Sequence, residues 1–362
     1  MRSTRTLLEK IRALEDHAIL GGFIEALREP ALLVGGGSVL LSNAAARSLL
    51  GKHIDGQDLR LALRHPAAVE RLLSKGSGTY EEVELVGIGE PNRRWTMSIA
   101  TVGGERLLVR LSDRSEAHAA EQMRVDFVAN ASHELRTPLS TLVGYAETLR
   151  ENEDLDAATR TRFLATIHDE ALRMQRLVED LISLSRIEAE KFTIPREPIS
   201  LPDLVEQVIR GCRSRAEDLG CALELEVEPD VPTIVGDPIQ IAQLVDNLLS
   251  NALRYGRRGR PVRIRIAAER RMVRLSVSDE GEGIPAEHIP RITERFYRVD
   301  PSRSRALGGT GLGMAIVKHI VERHRGQLRI ESAVGQGTTF HVLLLGSGEE
   351  HEESAASDQG PF

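Results

Sequence analysis

Aromatic side chains are scarce in this 362-residue chain, which has seven Phe, four Tyr and one Trp. That leaves little for a platform on which nucleic-acid bases could stack. Cysteine is scarcer still. Cys212 and Cys221 alone cannot build a zinc cluster or a disulfide scaffold, and a reducing, intracellular setting is the natural expectation. Positive charge is not in excess: 47 Lys and Arg against 54 Asp and Glu leave a formal net charge of −7. No nucleic-acid partner is therefore expected. Long apolar runs are missing, none approaching the roughly 18 residues of a membrane span. The opening stretch, MRSTRTLLEKIRALEDHAILGG, is salted with charge and lacks the apolar core of a secretory signal. A soluble, cytoplasmic chain is expected, with peripheral membrane association through a partner left open. What is present is an ordinary globular balance, 41% hydrophobic and 28% charged, at a length that suggests two or three domains.

The texture of the chain changes along its length. Residues 1–20 form an amphipathic pattern with Leu7, Ile11, Leu14 and Ala18 on one stripe, expected as a packing or dimer-seam helix. Residues 21–112 alternate short apolar runs with glycines. ALLVGGGSVLLSN reads as strand, turn, strand, and YEEVELVGI, RRWTMSIATV and RLLVRLSD add three more strands. NAAARSLLG and LRLALRHPAAVERLL read as helical. Five antiparallel strands with short helices across one face make an α+β sensor-type domain. The order of strand, turn, strand, Asn43-Ala-x-Ala and helix resembles a PAS domain. No cysteine lies in residues 1–112, which excludes flavin–thiol chemistry, and His53 and His65 read as surface residues rather than haem ligands.

Residues 113–190 read as two long antiparallel helices with a turn near Glu151–Asp156. Val128, Leu135, Leu139, Leu142, Ala146 and Leu149 stripe the first; Phe163, Ile167, Ala171, Met174, Leu177, Leu181 and Leu184 stripe the second. One hairpin cannot cover both stripes, so a homodimeric four-helix bundle is expected. Residues 195–346 alternate helix and strand in the manner of an α/β sandwich. Residues 347–362 are acidic and are expected to be disordered.

The first long helix contains FVANASHELRTPL. His133 falls two residues from Ala131 and two from Leu135, about 200° around the helix from the apolar seam. It is therefore expected to face solvent, with Glu134 beside it and Thr137 one turn on. Pro138 removes a backbone N–H and frees the carbonyl of Glu134. This thirteen-residue string resembles the H-box of bacterial two-component sensor histidine kinases. The resemblance implies that His133 is phosphorylated, with Glu134 taking its proton. A neutral imidazole is a competent nucleophile near neutral pH.

Further on, DNLLSNALRY places Asn247, Asn251, Arg254 and Tyr255 on successive turns of one helix. DEGEGIP follows a strand with Asp279, Gly281 and Gly283, then ERFYRVD with Arg298, then GGTGLGMAIVKHI with Gly309, Gly311, Leu312 and Gly313. The last string lacks the Gly-Lys-Ser/Thr of a Walker loop, and no strand directly precedes it as a Rossmann turn requires. In this order the four strings resemble the N, G1, F and G2 boxes of the GHKL-type ATP-binding domain. The resemblance implies ATP and Mg²⁺ as cofactors. Asn247 would ligate the metal, and Asn251 and Arg254 would reach phosphates. Tyr255 would lie by the adenine or ribose, Asp279 would accept the adenine amine, and Gly281 and Gly283 would let the backbone approach the base. Gly309, Gly311, Leu312 and Gly313 would open a phosphate-holding helix, and Arg298 would turn toward the γ-phosphate. Residues 299–310, with Arg303 and Arg305, would form a lid.

Together these strings imply an ATP-dependent protein-histidine kinase whose partner is a response regulator. Another GHKL ATPase and a non-catalytic dimeric scaffold are the alternatives, and neither explains both the histidine helix and the glycine strings. Residues LALRHP followed by AAVERLL look most like phosphate-regulon sensor kinases, in which case input would arrive through a membrane sensor partner or a soluble ligand. Thr137, on the same face as His133, resembles the residue of kinases that also dephosphorylate their regulator. Ser140, Gly144 and Tyr145 are candidates for regulator contact.

Overall fold

The computed structural model describes residues 19–73, 80–102, 106–152, 154–190, 193–300 and 308–347. The stripe residues Leu7, Ile11, Leu14 and Ala18, residues 301–307 of the segment 299–310 expected as a lid, with Arg303 and Arg305, and nearly all of the acidic tail lie outside the described residues. The chain divides into two compact units, residues 1–128 and 129–362.

In the first unit, β1 (Ala31–Gly35) and β2 (Ser38–Ser42) are joined by Gly36 and Gly37, both at positive φ. That backbone matches the twist of a tight hairpin and is cheap only for glycine. With β3 (Tyr80–Val86), β4 (Arg94–Thr101) and β5 (Leu107–Asp113) they form an antiparallel sheet in the order β2-β1-β5-β4-β3. On one face Trp95, Met97, Val109 and Leu111 pack with the helices α2 (Ala44–Leu50), α3 (Leu59–Leu63) and α4 (Pro66–Leu73). LRLALRHPAAVERLL is thus two helices rather than one. Arg64 ends α3 in left-handed conformation (φ 48°), and Pro66 opens α4, with His65 before it at a position disfavoured within a helix. A helix over 19–25, here α1, covers the other face through Ile24 against Ala31 and Leu33.

Asn43 shows why a polar residue belongs in this core. Fully buried, it caps α2 by accepting from Ala46 N at 2.8 Å and accepts from Ala31 N at 3.0 Å. Its amide donates to the carbonyls of Leu27 and Glu29 at 2.9 and 2.7 Å. One side chain thereby ties β1, α2 and the end of α1 together, satisfying backbone groups that would otherwise be buried without partners.

The helix α5 (Ser115–Glu151) runs unbroken through Pro138. Helix α6 (Ala157–Ala189) begins at an Asp156 cap, as the turn near Glu151–Asp156 requires. The rings of Tyr145 and Phe163 meet between them at 4.8 Å.

The ATPase-like layer starts with a short strand that sequence reading passed over, β6 (Glu197–Ile199), which pairs antiparallel with β8 (Ile234–Gly236). Between them come α7 (Leu201–Asp218) and β7 (Leu223–Val227). Then follow α8 (Pro238–Tyr255), β9 (Val262–Glu269), β10 (Met272–Asp279), α9 (Gly313–Arg323), β11 (Gln327–Ala333) and β12 (Gly337–Leu345). The sheet order is β11-β12-β10-β9-β7, antiparallel except for the parallel pair β7–β9. Side chains alternate along the strands. Ile264, Ile266, Leu275, Val277, Phe340 and Val342 are buried, whereas Arg263, Arg265 and Arg274 lie on the other face with Glu224, Glu226 and Glu331. Helices α7, α8 and α9 form the second layer, so this is the expected two-layer α/β sandwich.

Candidate functional site

Helix α8 buries Ile241, Leu244, Val245, Leu248, Leu249 and Ala252. Helical periodicity then holds Asn247, Asn251 and Arg254 on a partly exposed face. That face forms one wall of a cavity of about 740 Å³, a size suited to a nucleotide. Asn247, Asn251, Arg254, Tyr255, Asp279, Gly283, Arg298, Gly309, Gly311 and Gly313 all line it. Ten residues expected from scattered strings are thus brought together. Leu312 is fully buried and, like Gly281, is not among the lining residues.

The glycines are needed, and several for contacts with the protein's own chain. A Cβ on Gly281 would stand 2.3 Å from the Tyr255 carbonyl oxygen, and one on Gly283 (φ 72°) 2.0 Å from that of Ala333. These two glycines let loops close behind the cavity rather than simply clearing space for a base. At Gly313 a Cβ would meet the Asn247 Oδ1 at 2.8 Å. Its absence lets the amide oxygen of α8 sit beside the N-terminus of α9. Asp279, at the end of β10, accepts from Gly281 N at 2.8 Å, and burial pushes its carboxyl above the usual carboxylate range.

Helix α6 also contributes to the wall, which the periodicity of its seam did not reveal. Arg176, Glu179 and Asp180 line the cavity, and the Asp180 carboxylate accepts from Thr310 Oγ1 at 2.7 Å. Farther along α6, Ser183 donates to Gln243 of α8 at 2.7 Å, Leu184 and Ile187 are buried, and Glu188 pairs with Arg295. Arg323 of α9, itself buried, reaches Glu190 at 2.9 Å and Asp237 at 3.4 Å.

On α5, His133 and Thr137 are exposed, as expected, and neither lines the cavity. Thr137 Oγ1 donates back to the His133 carbonyl at 3.3 Å, a bond within the helix. Glu134 is held by two arginines. Arg298 donates to both its oxygens, at 2.8 and 3.3 Å, and Arg173 of α6 lies 3.6 Å away. Arg298 has only 5% side-chain exposure, also donates to the carbonyls of Gly309 and Thr310 at 3.0 Å, and keeps a buried Nε–H with no partner. In this structure, then, Arg298 bridges the base candidate and the glycine string. Its neighbour Tyr297 shares a 2.6 Å hydrogen bond with His288 Nδ1 and lies under the Arg291 guanidinium.

No cluster of three His, Cys, Asp or Glu able to hold a metal occurs among the described residues. The donor set instead suits Mg²⁺ held by one protein oxygen, that of Asn247, and otherwise by phosphate and water.

Comparison with known proteins places both regions in families. Residues 123–190 match the His Kinase A (phospho-acceptor) domain, and residues 236–346 the histidine kinase-, DNA gyrase B- and HSP90-like ATPase. The chain is 36% identical over 319 residues to the phosphate regulon sensor protein PhoR of Pseudomonas aeruginosa, covering 87% of this chain and 71% of that protein. It is 38% identical over 255 residues to the sensor histidine kinase WalK of Bacillus subtilis, covering 68% of this chain and 41% of that protein. A solved complex of the histidine kinase ThkA with the response regulator protein TrrA aligns over 91% of this chain and 98% of that one, at a TM-score of 0.50 and 19% identity. That last likeness is one of fold.

Proposed function

The chain belongs to the bacterial two-component sensor histidine kinases, and from that premise we propose that it transfers the γ-phosphoryl group of ATP to His133 and then to an aspartate of a response regulator. The observation that carries this reading is the convergence of α8, the Asp279 turn, Arg298 and the α9 N-terminus on one cavity, with Glu134 tied to the same Arg298. ATP supplies the phosphoryl group and Mg²⁺, when bound, neutralises charge on its phosphates. Asp279 accepts the adenine amine, and Tyr255 flanks the base or ribose. Asn247 holds the metal, Asn251 and Arg254 hold phosphate, and Gly309, Gly311, Leu312 and Gly313 present the amides that open α9. As the nitrogen–phosphorus bond forms at His133, Glu134 takes the imidazole proton and ADP leaves.

Homodimerisation through α5 and α6 is supported by the apolar residues that a single hairpin leaves exposed, among them Leu139, Val143, Leu164 and Ile182. The five-stranded antiparallel sheet with α2–α4 on one face supports a PAS-like sensor role for residues 21–112. The PhoR relative supports phosphate supply as the signal. No described helix is long and apolar enough to cross a membrane. A cytoplasmic location is favoured by the proposed use of ATP and a response regulator, and a membrane sensor partner would be one source of input. Thr137 would orient water for dephosphorylation of the regulator once it leaves its bond to the His133 carbonyl. Ser140, Gly144 and Tyr145 would contact the regulator, Tyr145 doing so beside its ring contact with Phe163.

The test is phosphoryl transfer from ATP labelled at the γ position. Wild type is expected to yield an acid-labile, base-stable phosphoprotein, and His133→Ala none, with nucleotide binding intact. Undiminished labelling of His133→Ala would refute the assignment.

A further inference from the structure

Arg176, Arg215 and Arg254 line the cavity beside the α9 N-terminus, whose N-cap residue, Leu312, offers no side-chain hydrogen bond of its own to cap it. One helix of the hairpin brings the counter-charge. The Asp180 carboxylate of α6 accepts from Thr310 Oγ1 at 2.7 Å, and that oxygen in turn faces the Leu312 N–H at 3.3 Å. A chain of carboxylate, hydroxyl and amide therefore runs from α6 to the amide that opens α9. Asp180 lines the same cavity wall as Arg254. Burial raises its carboxyl above the usual range, while Thr310 and the Arg254 charge pull it down. Arg298, nine-tenths buried, still carries an Nε–H without a partner in this wall. Asp180 thus puts a carboxylate next to Arg254 and, through Thr310, at the amide that opens α9, the place the proposed function gives to phosphate.

We propose that Asp180 sets the nucleotide affinity of this kinase: its carboxylate stands in for phosphate at the α9 N-terminus, and ATP must displace it from Thr310 to bind. Two anions cannot share one place at a helix N-terminus without mutual repulsion, so α6 docked through Asp180 and ATP bound at α9 oppose each other. By linkage, whatever docking of α6 costs in ATP affinity, ATP costs in docking of α6. The proposal rests on the reading of the cavity as the nucleotide site.

The experiment is calorimetric titration of the full chain with a non-hydrolysable ATP analogue, ADP and adenosine. Asp180→Asn keeps the shape and removes the charge. It is expected to tighten the ATP analogue about five- to tenfold, the lower range of typical coupling, ADP by less, and adenosine not at all. Thr310→Val, which breaks the hydrogen-bonded chain while leaving the carboxylate, is expected to tighten the ATP analogue by a smaller factor. Equal tightening of adenosine and the ATP analogue would mean a change of shape rather than of charge and would overturn the proposal, as would unchanged or weakened binding of the ATP analogue to Asp180→Asn. Asn247→Ala is the control for the underlying reading. If it leaves the affinity for the ATP analogue with Mg²⁺ untouched, the cavity is not the nucleotide site and both ideas fall together.

Discussion

The two long helices, α5 and α6, are alike in sequence and unlike in use. Each carries an apolar stripe at spacings of three and four. Yet α5 exposes His133, Thr137 and Leu139, whereas α6 buries Leu177, Leu184 and Ile187 and sends Asp180, Ser183, Glu188 and Glu190 to polar partners in the ATPase layer. A helix has more than one face, and periodicity reports only the most apolar of them. Helix α5 offers its second face to solvent, where the His133 imidazole, the proposed phosphate acceptor, can be reached. Helix α6 spends its second face on holding the machinery that would phosphorylate that imidazole.

The largest effect expected from this contrast lies where the helices meet. Glu134 stands between Arg298 and Arg173 of α6, so its carboxylate is both the proposed base and a tether. Glu134→Gln is expected to slow phosphorylation of His133 by about 100-fold or more, the usual worth of a positioned base, while ATP binding persists. Single-turnover labelling beside a nucleotide titration checks it. A rate within threefold of wild type would assign Glu134 to tethering alone.

Next come the stripes. Leu184 is 1% exposed and Leu139 50% exposed in the single chain. Leu184→Ala is expected to cost about 3 kcal/mol, as for other buried leucines, by an amount independent of protein concentration. Leu139→Ala is expected to act through dimerisation, so that its shift in melting midpoint shrinks as the protein is diluted toward the monomer. Thermal melts at two concentrations separate the two cases, and identical dilution behaviour would erase the distinction drawn between the helices.

A smaller effect tests the first unit by itself. Asn43→Ala leaves four backbone partners without their side chain and is expected to destabilise that unit by roughly 2 kcal/mol, with phosphorylation of His133 from ATP still measurable. Urea denaturation followed at Trp95, the chain's one tryptophan, reads this unit alone.

The smallest effect is one of pH. His324 is 4% exposed; its Nε2 accepts from Asp237 N at 3.0 Å, and its other nitrogen lies 2.8 Å from the Ile320 carbonyl. Only the neutral ring fits, and burial holds its pKa below the ordinary histidine value. The stability it contributes is present at pH 7 and is lost as pH falls below about 6.5 toward the depressed folded value. The melting midpoint should drop by a few degrees between pH 7 and 5.5, and the slope should flatten in His324→Asn. Equal slopes would remove His324 from the account.

Much of the site was legible before any coordinates. Asn247, Asn251 and Arg254 share a face because helical spacing puts them there, and the glycines stand where chains approach too closely for a Cβ. Less legible was β6, whose three residues carry too little pattern to show. The pairing of Arg298 with Glu134 was not legible at all, because 164 positions separate them and neither residue type is unusual on a surface.

The sequence by itself determined what repeats locally: the helical seams, the alternation of the strands, the outward histidine and the glycine turns. Each follows from the few backbone conformations available to neighbouring residues. Only the tertiary structure decided that Asp180 faces Thr310, that Arg298 links Glu134 to the glycine string, and that Gly281 and Gly283 pack against the Tyr255 and Ala333 carbonyls. Those contacts join residues far apart in the chain, and they are selected by burial and by the pairing of charges across elements, which no local pattern encodes.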